Sequence, residues 1–128
     1  MLWKAFLIVA LTGLGIRDCS FRFTDIDKND KEFVASVEHI VFHFNENQDD
    51  VFAYKFLRVR RSQRERFDFV YLVDLEMGRT VCRKDDEDID NCPLHEGERE
   101  KKVRCTYILE TEIWITRFNI LNSTCVQT

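Results

Sequence analysis

Apolar residues recur at steps of one, three and four between positions 29 and 44. This spacing places them on one stripe of an α-helix. They are Phe33, Val34, Val37, Ile40, Val41 and Phe44. Asn29 can cap the first turn, and Glu32, three residues later, can bond back to the cap. Because polar and acidic residues end the pattern at 45–50, one long helix with a single buried face is predicted.

Three bulky side chains of this predicted helix fall off the apolar stripe. His39 and His43 are four residues apart, a spacing that would let both imidazoles bind one metal ion. His95 is the only other histidine and no carboxylate–histidine pattern surrounds the pair, so a solvated helix face is expected and no metal site. Phe42 is expected either to contact a partner or to be covered by the N-terminal arm.

Alternation of apolar and polar residues predicts strands after the helix. It begins at Phe52, Tyr54 and Phe56 and continues through a long segment with one apolar face, made of Phe67, Phe69, Tyr71, Val73, Leu75 and Met77. Residues 103–109 and 115–121 give two more strands, and residues 16–28 form an arm or a first strand. We therefore predict an α+β fold in which the helix lies across a curled sheet of four or five antiparallel strands.

A run of arginines follows the first of these strands. If the chain stays extended there, Arg58, Arg60, Arg64 and Arg66 share one face. Such a stripe could bind an anionic surface or a glycan. The alternative is a solvated strand edge that its charges protect from aggregation.

Length and charge narrow the class of protein. The chain has 128 residues, enough for a single domain with one core. Its formal net charge is −4, which is too small to suggest a nucleic-acid partner. The sequence shows no pattern of a catalytic cysteine with a histidine, of paired catalytic carboxylates or of metal ligands. We therefore predict neither an enzyme nor a cofactor.

The N-terminus has the pattern of a signal peptide. Lys4 precedes a short apolar run at residues 5–11, and small residues follow at Gly13 and Gly15. The run is too short to span a bilayer. We expect a signal peptide at residues 1–15 and a mature domain at 16–128, secreted into extracellular fluid and without a membrane span.

Five cysteines agree with a secreted chain. Cys82, Cys92, Cys105 and Cys125 are close enough for local disulfides, but four cysteines allow three pairings. Cys19 is left over, and it either links two copies as a dimer or stays a free thiol in a monomer. Asn122 opens an Asn-Ser-Thr glycosylation sequon.

The second half of the chain resembles a secreted type-two cystatin. The resemblance rests on the Met-Gly-Arg-Thr-Val-Cys sequence at 77–82, the Asp-Asn-Cys-Pro sequence at 90–93 and the Leu-Asn-Ser-Thr-Cys sequence at 121–125. It implies sequential disulfides, Cys82–Cys92 and Cys105–Cys125, and the fold of one helix on a curled sheet. The reproductive-tract branch, which includes testatin and the cystatin-related epididymal spermatogenic protein, is the most similar part of the family.

Inhibitors of that family fill the cleft of papain-like cysteine proteases with three pieces. These are a glycine in the N-terminal arm, a first hairpin reading Gln-x-Val-x-Gly and a second hairpin reading Pro-Trp. The first hairpin corresponds here to Arg64, Glu65, Arg66, Phe67 and Asp68. The second keeps Trp114 but has Ile113 in place of proline, and residues 16–32 contain no glycine. The three pieces together form the inhibitory wedge of the family. Because unpaired charge is costly to bury, the wedge of this chain is predicted to be largely inactive.

Two functions therefore remain open. The first is an extracellular binding protein of reproductive-tract fluid that no longer blocks papain-like enzymes and binds another protein. The second is a weak or selective inhibitor of a papain-like cysteine protease, acting through Trp114 and the altered first hairpin on an acidic cleft.

Overall fold

The computed structural model describes residues 22–66, 68–112 and 117–128. Within these residues, one helix packs on a single five-stranded sheet whose strands pair in chain order and run antiparallel throughout. The elements are β1 (Phe23–Asp25), α1 (Lys31–Asn47), β2 (Phe52–Glu65), β3 (Val70–Arg83), β4 (Lys102–Glu112) and β5 (Arg117–Gln127). The predicted α+β fold is confirmed.

The helix begins and ends later than its apolar pattern suggests. Asp30, not Asn29, is the cap: its carboxylate accepts the Phe33 backbone N–H at 3.2 Å. The Asn29 N–H donates instead to the side chain of Asp27. At the other end Asn45 is buried, and it exchanges hydrogen bonds of 2.9 Å and 2.8 Å with the backbone C=O and N–H of Tyr54. These bonds to β2 explain why a polar residue continues the helix instead of ending it.

The core lies between the helix and the face of the sheet that it covers. Alternate residues of β3 fill it, as the apolar pattern predicts, together with alternate residues of β4. Phe33 of the helix meets the edge of the Tyr71 ring at a centroid distance of 6.2 Å. The buried set comprises Phe33, Val37, Ile40, Tyr54, Tyr71, Val73, Leu75, Met77, Cys105, Tyr107 and Leu109.

Two disulfides join neighbouring parts of the sheet. Cys82 bonds to Cys92 and ties the loop after β3 to the end of that strand. Cys105 bonds to Cys125, which lies directly opposite it in the ladder between β4 and β5. These are the two bridges that the family resemblance implies.

A bulge in β2 separates the arginines that were expected to share a face. Arg58 lies opposite Glu76, whereas Arg64 lies opposite Tyr71, and the register shifts between Val59 and Arg61. Glu76 and Tyr71 are five residues apart on β3, so they point to opposite faces of the sheet. The extra residue of a bulge reverses the alternation beyond it. The predicted common face of Arg58, Arg60, Arg64 and Arg66 is therefore wrong.

Candidate functional site

The candidate site is the end of the sheet where β1 starts and both hairpins turn. Phe23 of β1 pairs with Glu65 at the end of β2. The Arg66 backbone N–H donates to the carbonyl of Arg22 at 3.3 Å, and the Thr111 N–H donates to the carbonyl of Phe69 at 2.9 Å. These contacts bring the start of the described chain, the β2–β3 turn and the strands of the β4–β5 hairpin to one edge of the molecule.

Glu65 joins two pieces of this edge. Its side chain accepts the backbone N–H of Arg22 at 3.4 Å and that of Asp68 at 3.1 Å. The residue is only 8% exposed. The family resemblance implies that Glu65 contacts a protease, but in the structure its carboxylate holds the arm against the turn. A carboxylate that ends a strand and faces a turn gives no distinctive sequence pattern.

Arg64 is also held away from the tip of the first hairpin. Its guanidinium carbon lies 4.8 Å from the centre of the Phe69 ring, in cation–π contact. It lies on the face that the helix covers, beside Tyr71. Burial raises the pKa of the Tyr71 hydroxyl, and the nearby charge of Arg64 opposes that rise.

The turn itself presents charge to solvent. Arg66 and Asp68 are both exposed and lie between the end of β2 and the start of β3. A surface that enters an apolar cleft must lose its water, and charged groups resist this most strongly. The tip of the first hairpin is therefore a poor match to an apolar protease cleft.

The second hairpin is described only at its base. Glu112 lies opposite Arg117, and their side chains form an ion pair at 3.7 Å. Ile113 and Trp114 lie outside the described residues, as do Phe67 of the first hairpin, Cys19 and the predicted signal peptide at 1–15.

The arginines near the bulge are paired on the outer face of the sheet, which is the face turned away from α1. Glu76 accepts from Arg58 at 3.1 and 3.3 Å and from Arg60 at 3.0 Å. These hydrogen bonds, with that of Arg58 foremost, lower the pKa of the Glu76 carboxyl. Half of the predicted anion-binding stripe is thus already engaged by a carboxylate of the chain.

The two helix histidines do not lie on a solvated face. His39 stacks on Phe118 of β5 at a centroid distance of 4.8 Å, and His43 meets the Tyr107 ring edge-on at 6.3 Å. Both are half-buried. Burial, followed by the charge of His43, lowers the pKa of His39. The expectation of a solvated face is wrong because side chains of β4 and β5 contact this side of the helix.

Metal-binding groups come together at one place in the described chain. The side-chain ligand atoms of Cys82, Asp86 and Cys92 lie within 4.8 Å of one another. Both sulfurs are consumed by the disulfide. They offer no thiolate, so this cluster is not a zinc site.

Asn122 is accessible for modification. It lies on β5 opposite Ile108 and is exposed to solvent.

Across the parts of the chain that the structure describes, no helix has the length and apolar character needed to cross a bilayer.

Comparisons with known proteins agree on the family. Residues 21–114 match the cystatin domain. The chain is 73% identical to cystatin-12 of Mus musculus and 71% identical to cystatin-12 of Rattus norvegicus, in each case over 100% of both chains. Its fold is similar to that of dimeric human cystatin F, with a TM-score of 0.73, over 84% of this chain and 88% of that chain. The identity to that structure is 22%, so it supports the fold alone.

Proposed function

The chain belongs to the cystatin family of protease inhibitors, and from this premise we propose that it is a secreted binding protein whose papain-directed wedge is inactive. The observation that carries this proposal is the charged tip of the first hairpin. Arg66 and Asp68 are exposed there, while the side chains of Arg64 and Glu65 are held in contacts within the protein.

The energetic argument concerns desolvation. An apolar cleft would remove water from Arg66 and Asp68 without supplying partners, at a cost of several kcal/mol. Binding weakened by about 3 kcal/mol is weakened by about a hundredfold. Asp68 also takes the position where the family's glycine lets the backbone approach the enzyme closely.

The site of action in this proposal is extracellular. The N-terminal signal pattern, the two disulfides and the Asn122 sequon all suit an oxidising, secretory route. The resemblance to the reproductive-tract branch suggests its fluid as the setting and a protein as the partner. No catalytic role and no cofactor belong to this proposal.

A second candidate is selective inhibition of a papain-like protease with an acidic cleft. The exposed Arg66 favours it, because a guanidinium that meets a carboxylate gains a charge-assisted bond. Trp114 would then provide the apolar contact of the second hairpin. Such binding should weaken as ionic strength rises.

Restoring the family motif tests the proposal. The triple substitution Arg64→Gln, Arg66→Val and Asp68→Gly should improve the inhibition constant against papain by at least tenfold. A control with Arg99→Gln, Arg83→Val and Asp85→Gly makes the same change in charge outside the hairpin and should improve nothing. Equal inhibition by the restored and control proteins would show that the hairpin charges are not what prevents binding.

A further inference from the structure

A groove of about 760 Å³ lies between α1 and the middle of β2. Val34, Val41 and Phe42 line it from the helix, and Phe56 and Val59 line it from the strand. Phe56 is ten residues before Arg66, which is about 30 Å along an extended strand. The groove is therefore separate from the tip of the first hairpin.

Exposed apolar side chains converge on this groove. Phe42 is 63% exposed, Val34 40% and Phe56 39%. Single exposed apolar residues are ordinary, but several that face one depression indicate an interaction site. Phe42 lies off the buried stripe of the helix, and the neighbouring sequence gives no reason for a large apolar side chain there. Its place in the lining of this groove accounts for it.

Acidic residues surround the apolar floor. Glu38 and Glu46 come from the helix, and Glu87, Asp88 and Asp90 come from the loop after β3. In the described parts of the chain, none of these five carboxylates forms a salt bridge.

Four basic residues line the same groove: Lys28, Lys55, Arg58 and Lys84. Arg58 is bonded to Glu76 on the outer face of the sheet. Lys84 donates to the carbonyl of Gln48, and the Lys55 ammonium lies 3.5 Å from the carbonyl of Asp90. Bonds to carbonyls leave the ammonium charges of the lysines in place. With Arg58 paired to Glu76, the five carboxylates outnumber the three lysines, and the groove carries a net negative charge above its apolar floor.

The dimensions of the groove suit a short segment of chain. Its helix wall runs from Val34 to Glu46, which corresponds to a rise of about 18 Å. An extended peptide covers that length with about five residues. We propose that the groove binds a short segment of a partner protein that carries apolar side chains flanked by lysine or arginine. Charge complementarity selects this occupant over an acidic segment.

The test uses two labelled octapeptides as probes, one of alternating leucine and lysine and one of alternating leucine and glutamate. Fluorescence anisotropy of the oxidised protein should show binding of the lysine peptide at least tenfold tighter than that of the glutamate peptide. Phe42→Ser should weaken binding of the lysine peptide by tenfold or more. Val126→Ser, at a comparably exposed position on β5, is the matched control and should change binding less than twofold.

A second pair of variants separates the groove from the overall charge of the protein. Glu38→Gln should weaken the lysine peptide at least threefold, whereas Glu98→Gln, an exposed carboxylate outside the groove, should leave it unchanged. Equal binding of both peptides, insensitivity to Phe42→Ser, or equal effects of the two glutamate variants would each overturn the proposal. An unchanged circular dichroism spectrum verifies that each variant is folded.

This inference rests on the proposed role as a binding protein and adds the surface and the partner chemistry. Its test contains no protease. If the peptides fail to bind, the groove proposal is contradicted but the proposal of an inactive wedge is not. Tight protease inhibition would contradict the inactive wedge but not the groove.

Discussion

The carboxylate of Asp74 accepts two hydrogen bonds from the guanidinium of Arg104, at 3.1 Å and 2.9 Å. Asp74 is only 1% exposed, and Arg61 approaches it from the other side at 3.5 Å. A buried carboxylate is tolerated when such partners satisfy it. The pairing of β3 with both of its neighbours thus depends on charge as well as on apolar packing.

Loss of the Arg104 side chain should destabilise the fold. Arg104→Ala removes both hydrogen bonds and leaves the Asp74 carboxylate with Arg61 alone. Removing one partner of a buried ion pair costs about 3 kcal/mol. The free energy of unfolding, measured by denaturant titration, should fall by about that amount. Lys102→Ala is the control on the same strand, because its ion pair with Glu100 is exposed and should contribute under about 1 kcal/mol. Equal effects of the two substitutions would contradict this account.

The same carboxylate should make stability depend on acid. The hydrogen bond from Arg104 lowers the pKa of Asp74 in the folded protein, against the opposing effect of burial. A carboxyl with a depressed folded pKa contributes stability that is present above its unfolded value and is lost as pH falls through the folded value. Asp74→Asn should therefore flatten the loss of stability below about pH 4. An acid-unfolding curve with an unchanged slope would count against the assignment.

The two bonds between Asn45 and the Tyr54 backbone should anchor the end of the helix to β2. Asn45→Leu would leave a buried N–H and a buried C=O without partners, at a cost of about 2–4 kcal/mol. Thermal unfolding should shift accordingly. Asn47→Leu removes only an exposed bond to the carbonyl of His43 and provides the comparison. If the two variants have the same melting temperature, the hydrogen bonds of Asn45 do not anchor the helix to β2.

The features that follow from periodicity could be predicted from the sequence. The alternation through Tyr71, Val73, Leu75 and Met77 defines the core face of β3, and the helix shows the spacing of Phe33, Val37 and Ile40. Both patterns arise because burial on one face imposes a fixed period.

Features that depend on one extra residue, or on distant contacts, could not be predicted in this way. The bulge near Val59 leaves no compositional trace, yet it moves Arg64 to the face opposite Arg58. The burial of Glu65 depends on Arg22, which is remote in sequence. His39 is covered by Phe118, a partner on the last strand. In each case the fold determines the surroundings of a residue whose neighbours in the sequence suggest something else.

The most direct test of the central claim is a titration of the oxidised, unmodified protein against papain and a panel of cathepsins, at low and moderate salt. The charged tip formed by Arg66 and Asp68 predicts full residual protease activity at micromolar protein. Nanomolar inhibition of any one of these enzymes would contradict the account and would show that the altered hairpin still enters a cleft.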